Sequence, residues 1–450
     1  MQTGSERSAS VGFFPGADLV QADLAADTLP SAQKTAGLKK RHVFAVAAGN
    51  ALAFYDFLTY AFFAVQIGHT FFPTKDAGIS LLLTLATFGA GFFTRPLGAF
   101  VIGSLGDRVG RRPAMVLAFV LMGVGILMLV VTPPYRTIGI AAPVLLVISR
   151  LLQGFALGGE VGPSTAYLIE AAPADMRGRY TSLAFATQDL AVLVAGIVGA
   201  VLASVMSADA LNDWGWRLAF LFGASIVPFG LMLRRSLPET LEQFPPGETS
   251  VAGKPFLRIA IIGFIMLSVT AVAIYINDYM TTYASATLHL SANVAFGATV
   301  VVGVFSVTFD LASGWLSDHF GRKPPIIVAY AALLLLAYPG FLVISRFPGA
   351  LTLYAVSALF ASLQCLGSGP ALTAITEALP RRMRSGVLSM VYALSITLFG
   401  GSTQFVITWL IRETGSPLAP GWYLAAFVGV GLIAVLLMPE TSPLRRQRGR

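Results

Sequence analysis

The sequence predicts an all-helical membrane protein whose twelve transmembrane helices form two six-helix repeats. Three observations support this prediction: a very apolar composition, twelve apolar segments of membrane-spanning length, and a set of motifs that occurs once in each half of the chain. Of the 450 residues, 56% are hydrophobic and only 12% are charged, against about 25% charged in a typical soluble domain. One soluble core cannot hide so much apolar surface, so the composition argues against a soluble protein.

Each apolar segment has about the 20 residues that a helix needs to cross a bilayer. In the first half the segments lie near 43–66, 79–104, 113–132, 139–163, 179–206 and 215–235. In the second half they lie near 258–284, 293–316, 325–345, 350–374, 385–411 and 420–438. Residues 1–40 show no sustained apolar period and are predicted to form a disordered tail.

Basic residues are concentrated in alternate connections between these segments. They occur around 108–112, 177–179, 234–235, 322–323 and 381–384, whereas the other connections hold few. Because basic loops stay inside the cell, this set and both chain ends are predicted to be cytoplasmic. Both ends on one side require an even number of crossings, which agrees with twelve. The same placement accounts for the net charge of +8 without a nucleic-acid partner.

Three sequence motifs recur in the same order in both halves. GSLGDRVGRRP at 103–113 recurs as GWLSDHFGRKP at 314–324, 211 positions later. EAAPADMR at 170–177 recurs as EALPRRMR, 207 positions later, and Pro-Glu-Thr at 238–240 recurs 201 positions later. The chain therefore reads as two halves of the same orientation, a design used for alternating-access transport. The predicted parts are a tail at 1–40, a six-helix bundle at 41–236, a cytoplasmic linker at 237–256, a second bundle at 257–440 and a basic tail at 441–450.

Residues 103–113 resemble the signature loop of the major facilitator superfamily. Residues 49–64, 88–103 and 148–173 resemble its metabolite:proton symporter family, and 399–423 resembles the citrate and tricarballylate carriers within it. The resemblance implies the major facilitator fold, with helices 1 and 4 lining a central cavity, and proton-coupled import of a small organic acid such as a tricarboxylate. Dicarboxylates, aromatic acids and zwitterionic osmolytes are alternative substrates in the family. A uniporter or exporter, and a sensor or scaffold without transport, are alternative functions.

Charged residues inside apolar helices are costly and usually functional. Asp56 lies roughly 20 Å from the cytoplasmic start of helix 1, and Arg150 lies roughly 17 Å from the outer start of helix 4. Both are therefore predicted to lie at similar depth, near the middle of the membrane. A carboxylate that titrates beside a permanent cation is suited to proton coupling; the alternative is a static buried pair. Glu160 is a second candidate for the proton site, or a helix-end residue near the cytoplasmic surface.

Candidate substrate-binding residues are polar side chains within the predicted helices. They are Asn50, Tyr55, Arg95, Arg150, Gln153, Gln188, Asn277, Tyr279 and Gln364. Gln153 and Glu160 share one helical face because they are seven residues apart. For Arg95 a structural role is the alternative, and for the tyrosines an anchoring role at the membrane interface.

The repeated loop motif is predicted to act as a cytoplasmic latch. Its residues are Gly103, Asp107, Arg108, Gly110, Arg111 and Arg112, with Asp318 and Arg322 in the second copy. A carboxylate and guanidiniums at this spacing can tie neighbouring helix ends by charge-assisted hydrogen bonds; the alternative is a topology signal alone. His319 replaces Arg108 in the second copy, which predicts a weaker latch there.

The sequence shows no pattern typical of a cofactor, metal or enzyme site. The four histidines have no ligand-like spacing, and Cys365 lies in an apolar run where it reads as a small packing residue. There is no phosphate-binding loop and no nucleophile elbow, so energy must come from an ion gradient or from the substrate's own gradient. The predicted partners are a small organic anion, protons and the lipid bilayer, with the chain acting as a monomer in the bacterial inner membrane.

Overall fold

Apolar segments in a bilayer fold as helices because a helix satisfies its own backbone hydrogen bonds there. The computed structural model describes residues 51, 54–109, 111–170, 176–235, 254–379 and 384–442. Within these ranges side chains are not described at 103–104, 106–109, 111–112, 115, 159–170, 226, 229–235, 254–256, 384–386 and 389.

The described residues form twelve long helices in chain order. The first six are α1 (54–62 and Ala64–Phe71), α2 (Ala77–Phe93 and Arg95–Val109), α3 (Arg111–Val131), α4 (Ala141–Glu170), α5 (Arg177–Val205) and α6 (Trp216–Arg235). The second six are α7 (Lys254–Thr282), α8 (Ala292–Phe320), α9 (Lys323–Arg346), α10 (Ala350–Ala378), α11 (Arg384–Ser395 and Gly401–Thr414) and α12 (Ala419–Leu437). Single π-helical turns occur at Leu211–Gly215, Tyr283–Thr287 and Ile396–Gly400.

Nine helices in the described part of the chain are long and apolar enough to cross a membrane. The other three are α1, whose described part is short, α3, whose apolar part is Val116–Val131, and α6, which carries arginines at both ends.

Several helices extend beyond the apolar segments that predicted them. The structure ends α4 at Glu170, α8 at Phe320 and α10 at Ala378, one to two turns past the predicted ends. Gly162 and Pro163 lie at the predicted end of α4 and Gly314 lies near that of α8, but the helices continue past them into the polar residues. As a result Asp318 and Glu377 lie on the last turns of helices rather than in loops.

The two copies of the repeated motif lie on the same side of the molecule. α2 runs antiparallel to α11, because Asp76 before α2 pairs with Arg412 near the end of α11, and Thr397 bonds to Phe92 farther along. The end of α2 therefore points towards the start of α11, which directly follows α10. The end of α10 in turn contacts Arg322 of the second copy. This arrangement agrees with two halves of the same orientation.

Glycines bring α2 and α4 into backbone contact. A Cβ atom on Gly154 would lie 1.7 Å from the carbonyl oxygen of Gly91, and one on Gly98 would lie 1.8 Å from that of Phe155. Thr94 adds a hydrogen bond of 2.7 Å to the carbonyl of Leu151. Moving a flexible side chain could not relieve such a contact, because the atoms that an added Cβ atom would meet belong to the backbone.

We expect Gly154→Ala to lower the stability of the protein, by about 1–3 kcal/mol or more, as overpacking typically does. Gly429→Ala is the matched control, since its nearest neighbour would be a Leu334 methyl group at 3.8 Å. Both changes favour the helical backbone equally. Thermal unfolding in detergent should show a clear drop in the midpoint for the first variant only, and equal midpoints would contradict this account of the α2–α4 contact.

A second close contact joins the two halves along α5 and α8, and we call it the α5–α8 seam. A Cβ atom on Gly303 would lie 2.5 Å from the Cα atom of Leu193, and one on Gly196 would lie 2.8 Å from the amide nitrogen of Val300. Farther along, the Ser182 and Ser313 hydroxyl oxygens are 3.3 Å apart. In this conformation the seam is closed along most of its length.

Candidate functional site

Two buried arginines meet at one aromatic ring in the first half of the chain. The Cζ atoms of Arg95 and Arg150 each lie 4.3 Å from the centre of the Phe57 ring. Phe92 lies one turn before Arg95 on the same face of α2, and its ring centre is 4.1 Å from the Arg95 Cζ atom. Aromatic faces attract cations most strongly away from water, so these rings help to hold both guanidiniums inside the molecule.

Arg150 is fully buried and only partly hydrogen-bonded. Its Nη1 donates to the Gln153 side-chain oxygen, and its Nη2 donates to the Phe57 carbonyl oxygen at 3.4 Å. Its Nε has no hydrogen-bond partner. The rings of Tyr60 and Phe88 lie 4.5 and 5.4 Å from its Cζ atom.

Arg95 is less well satisfied than Arg150. It is 5% exposed, and its Nε and Nη2 atoms both lack a hydrogen-bond partner. Within the described part of the chain neither arginine has a carboxylate oxygen within 4.0 Å, because the ion pairs found there involve other residues. A buried charge without a partner is strongly unfavourable, so these two cations are suited to hold an anion.

Asp56 is close to this cluster along the chain but faces away from it. Its Oδ1 lies against Gly223 of α6, where an added Cβ atom would be 1.7 Å away, and that oxygen has no hydrogen-bond partner. The neighbouring Tyr55 also faces α6 and donates to the Ala219 carbonyl at 3.0 Å. The predicted direct pairing of Asp56 with Arg150 is therefore not formed in this conformation, because α6 offers a gap at Gly223 that accepts the carboxylate.

The second half contributes Tyr275 of α7 to the cluster. Its ring centre lies 5.4 Å from that of Phe92 and 6.1 Å from that of Phe88, both in edge-on geometry. The π-helical turn of α11 packs behind it, since a Cβ atom on Gly400 would meet the Tyr275 ring at 2.7 Å. Such turns often mark functional sites.

The other predicted binding residues on α5, α7 and α10 are buried away from the arginines. The Asn277 amide donates to the Gln364 oxygen at 3.4 Å, and the Gln364 amide donates to the Ser368 hydroxyl at 2.8 Å. The Thr408 hydroxyl donates to the Tyr279 hydroxyl at 2.8 Å. Gln188 is buried on α5.

Sequence reasoning missed the aromatic partners of the arginines. They are Phe57, Tyr60, Phe88, Phe92 and Tyr275. A signal was present for α2, because residues 88, 92 and 95 follow the helical spacing of one face. For Tyr275 no local pattern distinguishes a ring that faces the site from one that packs elsewhere.

The second copy of the latch motif forms a bonded network across the two halves. Asp318 accepts hydrogen bonds from the backbone N–H groups of Gly178 and Arg179 at the start of α5, at 3.0 and 3.3 Å. Arg322 pairs with Asp318 at 2.9 Å and donates to both carboxylate oxygens of Glu377. A carboxylate at a helix N-terminus is stabilised by the helix dipole, so Asp318 ties α8 to α5.

Glu440 follows α12 and contacts the α8–α9 connection next to this network. Burial raises the pKa of Glu440, but hydrogen bonds from four backbone N–H groups outweigh this effect and hold its pKa below the usual range. The four groups belong to Arg322, Lys323, Thr441 and Ser442. The carboxylate therefore stays ionised at neutral pH and fixes the α8–α9 connection.

Several predicted residues lie outside the described part of the chain. They are Asn50 and Gly110, the side chains of Glu160, Asp107, Arg108, Arg111 and Arg112, and the surroundings of Gly103. The roles proposed for them, and the relative strength of the two latch copies, stay predictions.

On the predicted outer side the two halves are also in contact. The Thr282 hydroxyl of α7 donates to the Ala61 carbonyl of α1 at 3.2 Å, and the Phe63 and Phe296 rings lie 4.7 Å apart. Asp76 and Arg412 form an exposed ion pair of 2.9 Å. The arginine cluster is therefore covered on this side.

Comparisons with known proteins agree with this architecture. A family model described as Major Facilitator Superfamily matches residues 46–401. The chain is 35% identical to the citrate-proton symporter of Klebsiella pneumoniae over 91% of this chain and 94% of that protein. It is 30% identical to the proline/betaine transporter of Escherichia coli K12 over 90% of this chain and 84% of that protein. Among solved structures, the proton:xylose symporter XylE bound to 6-bromo-6-deoxy-D-glucose superposes with a TM-score of 0.73 at 19% identity, covering 89% of this chain and 96% of that one.

Proposed function

The chain belongs to the major facilitator superfamily, and we propose that it is a proton-coupled symporter that imports a small organic acid by alternating access, with a tricarboxylate such as citrate as its substrate. The observation that carries this proposal is the pair of buried arginines. Arg95 and Arg150 together have three guanidinium nitrogens without a hydrogen-bond partner. A substrate with several carboxylates can satisfy them, and guanidinium groups bind carboxylates in two-pronged geometry.

Charge also favours a multiply charged acid over a zwitterion. Citrate carries about two to three negative charges at neutral pH, which would balance two buried cations. Betaine and proline, named for a relative at 30% identity, carry no net charge. A quaternary ammonium group would need a free aromatic face, and the faces of Phe57 and Phe92 already hold the guanidiniums.

Asp56 remains our candidate for the proton site, with Glu160 in reserve. The contact of Asp56 with Gly223 shields the carboxyl group of Asp56 from water while α1 and α6 are packed together. Burial favours the neutral form of an acid. Access of water to Asp56 in another conformation would let the proton leave. This mechanism does not require direct pairing with Arg150.

For the whole chain we propose the arrangement that the repeats indicate. Two six-helix bundles at 41–236 and 257–440 are joined by the linker 237–256 and work as one monomer. Both termini, the tails 1–40 and 441–450 among them, lie in the cytoplasm. The alternatives are a uniporter or exporter of the same fold, and a symporter for a dicarboxylate, an aromatic acid or a zwitterionic osmolyte.

Uptake into reconstituted vesicles tests the proposal. With an imposed pH gradient, acid outside, we expect labelled citrate to accumulate, a protonophore to abolish accumulation, and excess unlabelled citrate to compete better than succinate, benzoate, glycine betaine or proline. Citrate uptake that ignores the gradient would indicate a uniporter. Accumulation of glycine betaine or proline with no competition by citrate would overturn the anion assignment.

A further inference from the structure

A second group of buried carboxylates lies away from the arginines, at the α5–α8 seam. Asp189 of α5, Asp310 of α8 and Cys365 of α10 place one carboxylate oxygen or sulfur each within 4.8 Å of one another. Asp189 comes from the first half of the chain and Asp310 from the second. The group is therefore assembled only when the two halves are in contact here.

Asp310 has surroundings that do not suit an ionised carboxylate. It is fully buried, and neither of its carboxylate oxygens has a hydrogen-bond partner. No basic side chain of the described residues lies within 4.0 Å of Asp310 or Asp189, because neither residue is in any of the ion pairs found. Two ionised carboxylates this close, in an apolar setting without a cation, repel each other strongly, and such pairs instead hold one proton between them.

The other titratable groups around the pair do not relieve this repulsion. The Cys365 thiol points to an Asp189 oxygen at 3.6 Å and is a weak donor. Asp278 of α7 is buried close to Asp189 and adds a further carboxyl group, one of whose oxygens lacks a partner. Asp189 is half-buried, so it is less shielded than Asp310.

The seam is tightly packed on both sides of the pair. Leu193 and Gly303 are in contact towards the predicted outer side, and Ser182 and Ser313 towards the predicted cytoplasmic side. If the halves separate, each carboxyl group gains access to water and the pair no longer exists. Closure and proton binding are thereby linked, since a ligand bound only in one conformation shifts the equilibrium towards it.

From this geometry we propose that Asp189 and Asp310 bind one proton between them, and that this proton is required for the α5–α8 seam to close. The inference deepens the proposed proton-coupled transport and rests on it for its biological meaning. When the seam closes, one carboxyl group is protonated and donates to the other carboxylate; when it opens, the proton passes to water and both groups are ionised. The pair is a proton site distinct from Asp56.

Cross-linking across the seam tests the proposal without measuring transport. Ser182→Cys and Ser313→Cys, in a Cys365→Ser background, place two thiols where hydroxyl oxygens are 3.3 Å apart. At a fixed oxidant dose and without substrate, we expect the yield of the disulfide to fall at least severalfold as the pH rises. Adding Asp310→Asn should abolish this fall and leave only the rise with pH that thiolate formation gives to oxidation, because an amide donates to Asp189 without a titrating proton. Asp209→Asn, at an exposed position, is the matched control and should follow the parent.

Two outcomes of the cross-linking experiment count against the proposal. A yield with the same pH dependence in the parent and in Asp310→Asn would mean that the pair does not control closure. A yield at high pH that sodium restores, and choline does not, would mean that the occupant is a sodium ion rather than a proton. Uptake into vesicles and cross-linking together separate the two sites. We expect Asp310→Asn and Asp56→Asn each to lose accumulation against a gradient, but only Asp310→Asn to lose the pH dependence of cross-linking. Failure of the unmodified protein to transport any acid would contradict the proposed function and leave the cross-linking result intact.

Discussion

Arg150→Gln is expected to reduce the affinity for citrate by about thirtyfold to several thousandfold. This range corresponds to about 2–5 kcal/mol, the usual cost of removing one partner of a buried charge pair. Arg150 donates to the Phe57 carbonyl and to Gln153, and its Nε has no hydrogen-bond partner. Glutamine has about the right polarity for the site but no charge. The measurement is citrate binding to the purified protein, with uptake into vesicles as the second readout.

The charge and the shape of this side chain can be separated. Arg150→Lys keeps the charge but not the planar fork. We therefore expect its affinity for citrate to lie between that of the parent and that of Arg150→Gln. Arg346→Gln is the control, because Arg346 is exposed at the end of α9. Thermal unfolding should show that all three variants are folded. If Arg150→Gln binds citrate as the parent does, the arginine pair is not the anion site.

Much of the fold follows from hydrophobicity and repetition alone. The order of the helices, the even number of crossings and the relation of the two motif copies rest on patterns that extend over many residues. Membrane helices are easily recognised in this way, because lipid forces the backbone to bond internally. The helix ends were less predictable, since α8 and α10 continue past the apolar segments into residues whose polarity suggested loops.

The candidate site could be predicted only in part, because a sequence gives depth in the membrane better than rotation about the helix axis. Arg95 and Arg150 were identified from depth and charge, and the structure brings them together. Asp56 precedes Phe57, whose ring contacts Arg150, but each residue turns about 100° around the helix, and packing at Gly223 decided which neighbour Asp56 meets. Asp310 was not singled out at all, although a carboxylate in an apolar helix is itself a functional signal.

The closed seam is stabilised at two levels that respond to different conditions. Near the predicted cytoplasmic surface, Asp318 binds the first turn of α5 and is paired with Arg322. Deeper in the membrane the proposed pair of Asp189 and Asp310 favours closure only when it carries a proton. The first contact sets a constant bias towards closure, and the second makes that bias depend on the proton gradient.

Asp318→Asn is expected to open the α5–α8 seam towards the predicted cytoplasmic side. The change removes the negative charge that faces two backbone N–H groups and that pairs with Arg322 at 2.9 Å. A charged group contributes about 1.5–3 kcal/mol to its hydrogen bonds, so the open population should rise by roughly ten- to a hundredfold. Alkylation of Ser182→Cys, in a Cys365→Ser background, measures this change from each side of oriented vesicles.

Asp76→Asn provides the matched control for this latch, because it breaks an ion pair between the halves that lies on the opposite side. Asp76 and Arg412 are 48% and 39% exposed, and surface pairs of this kind contribute at most about 1 kcal/mol. We therefore expect Asp76→Asn to change the alkylation rate little, and in the opposite direction. An unchanged rate in Asp318→Asn, or an equal change in both variants, would contradict a latch at Asp318. A large effect confined to Asp318 would show that burial and the α5 helix terminus, rather than the number of ion pairs, set which side of the transporter stays closed.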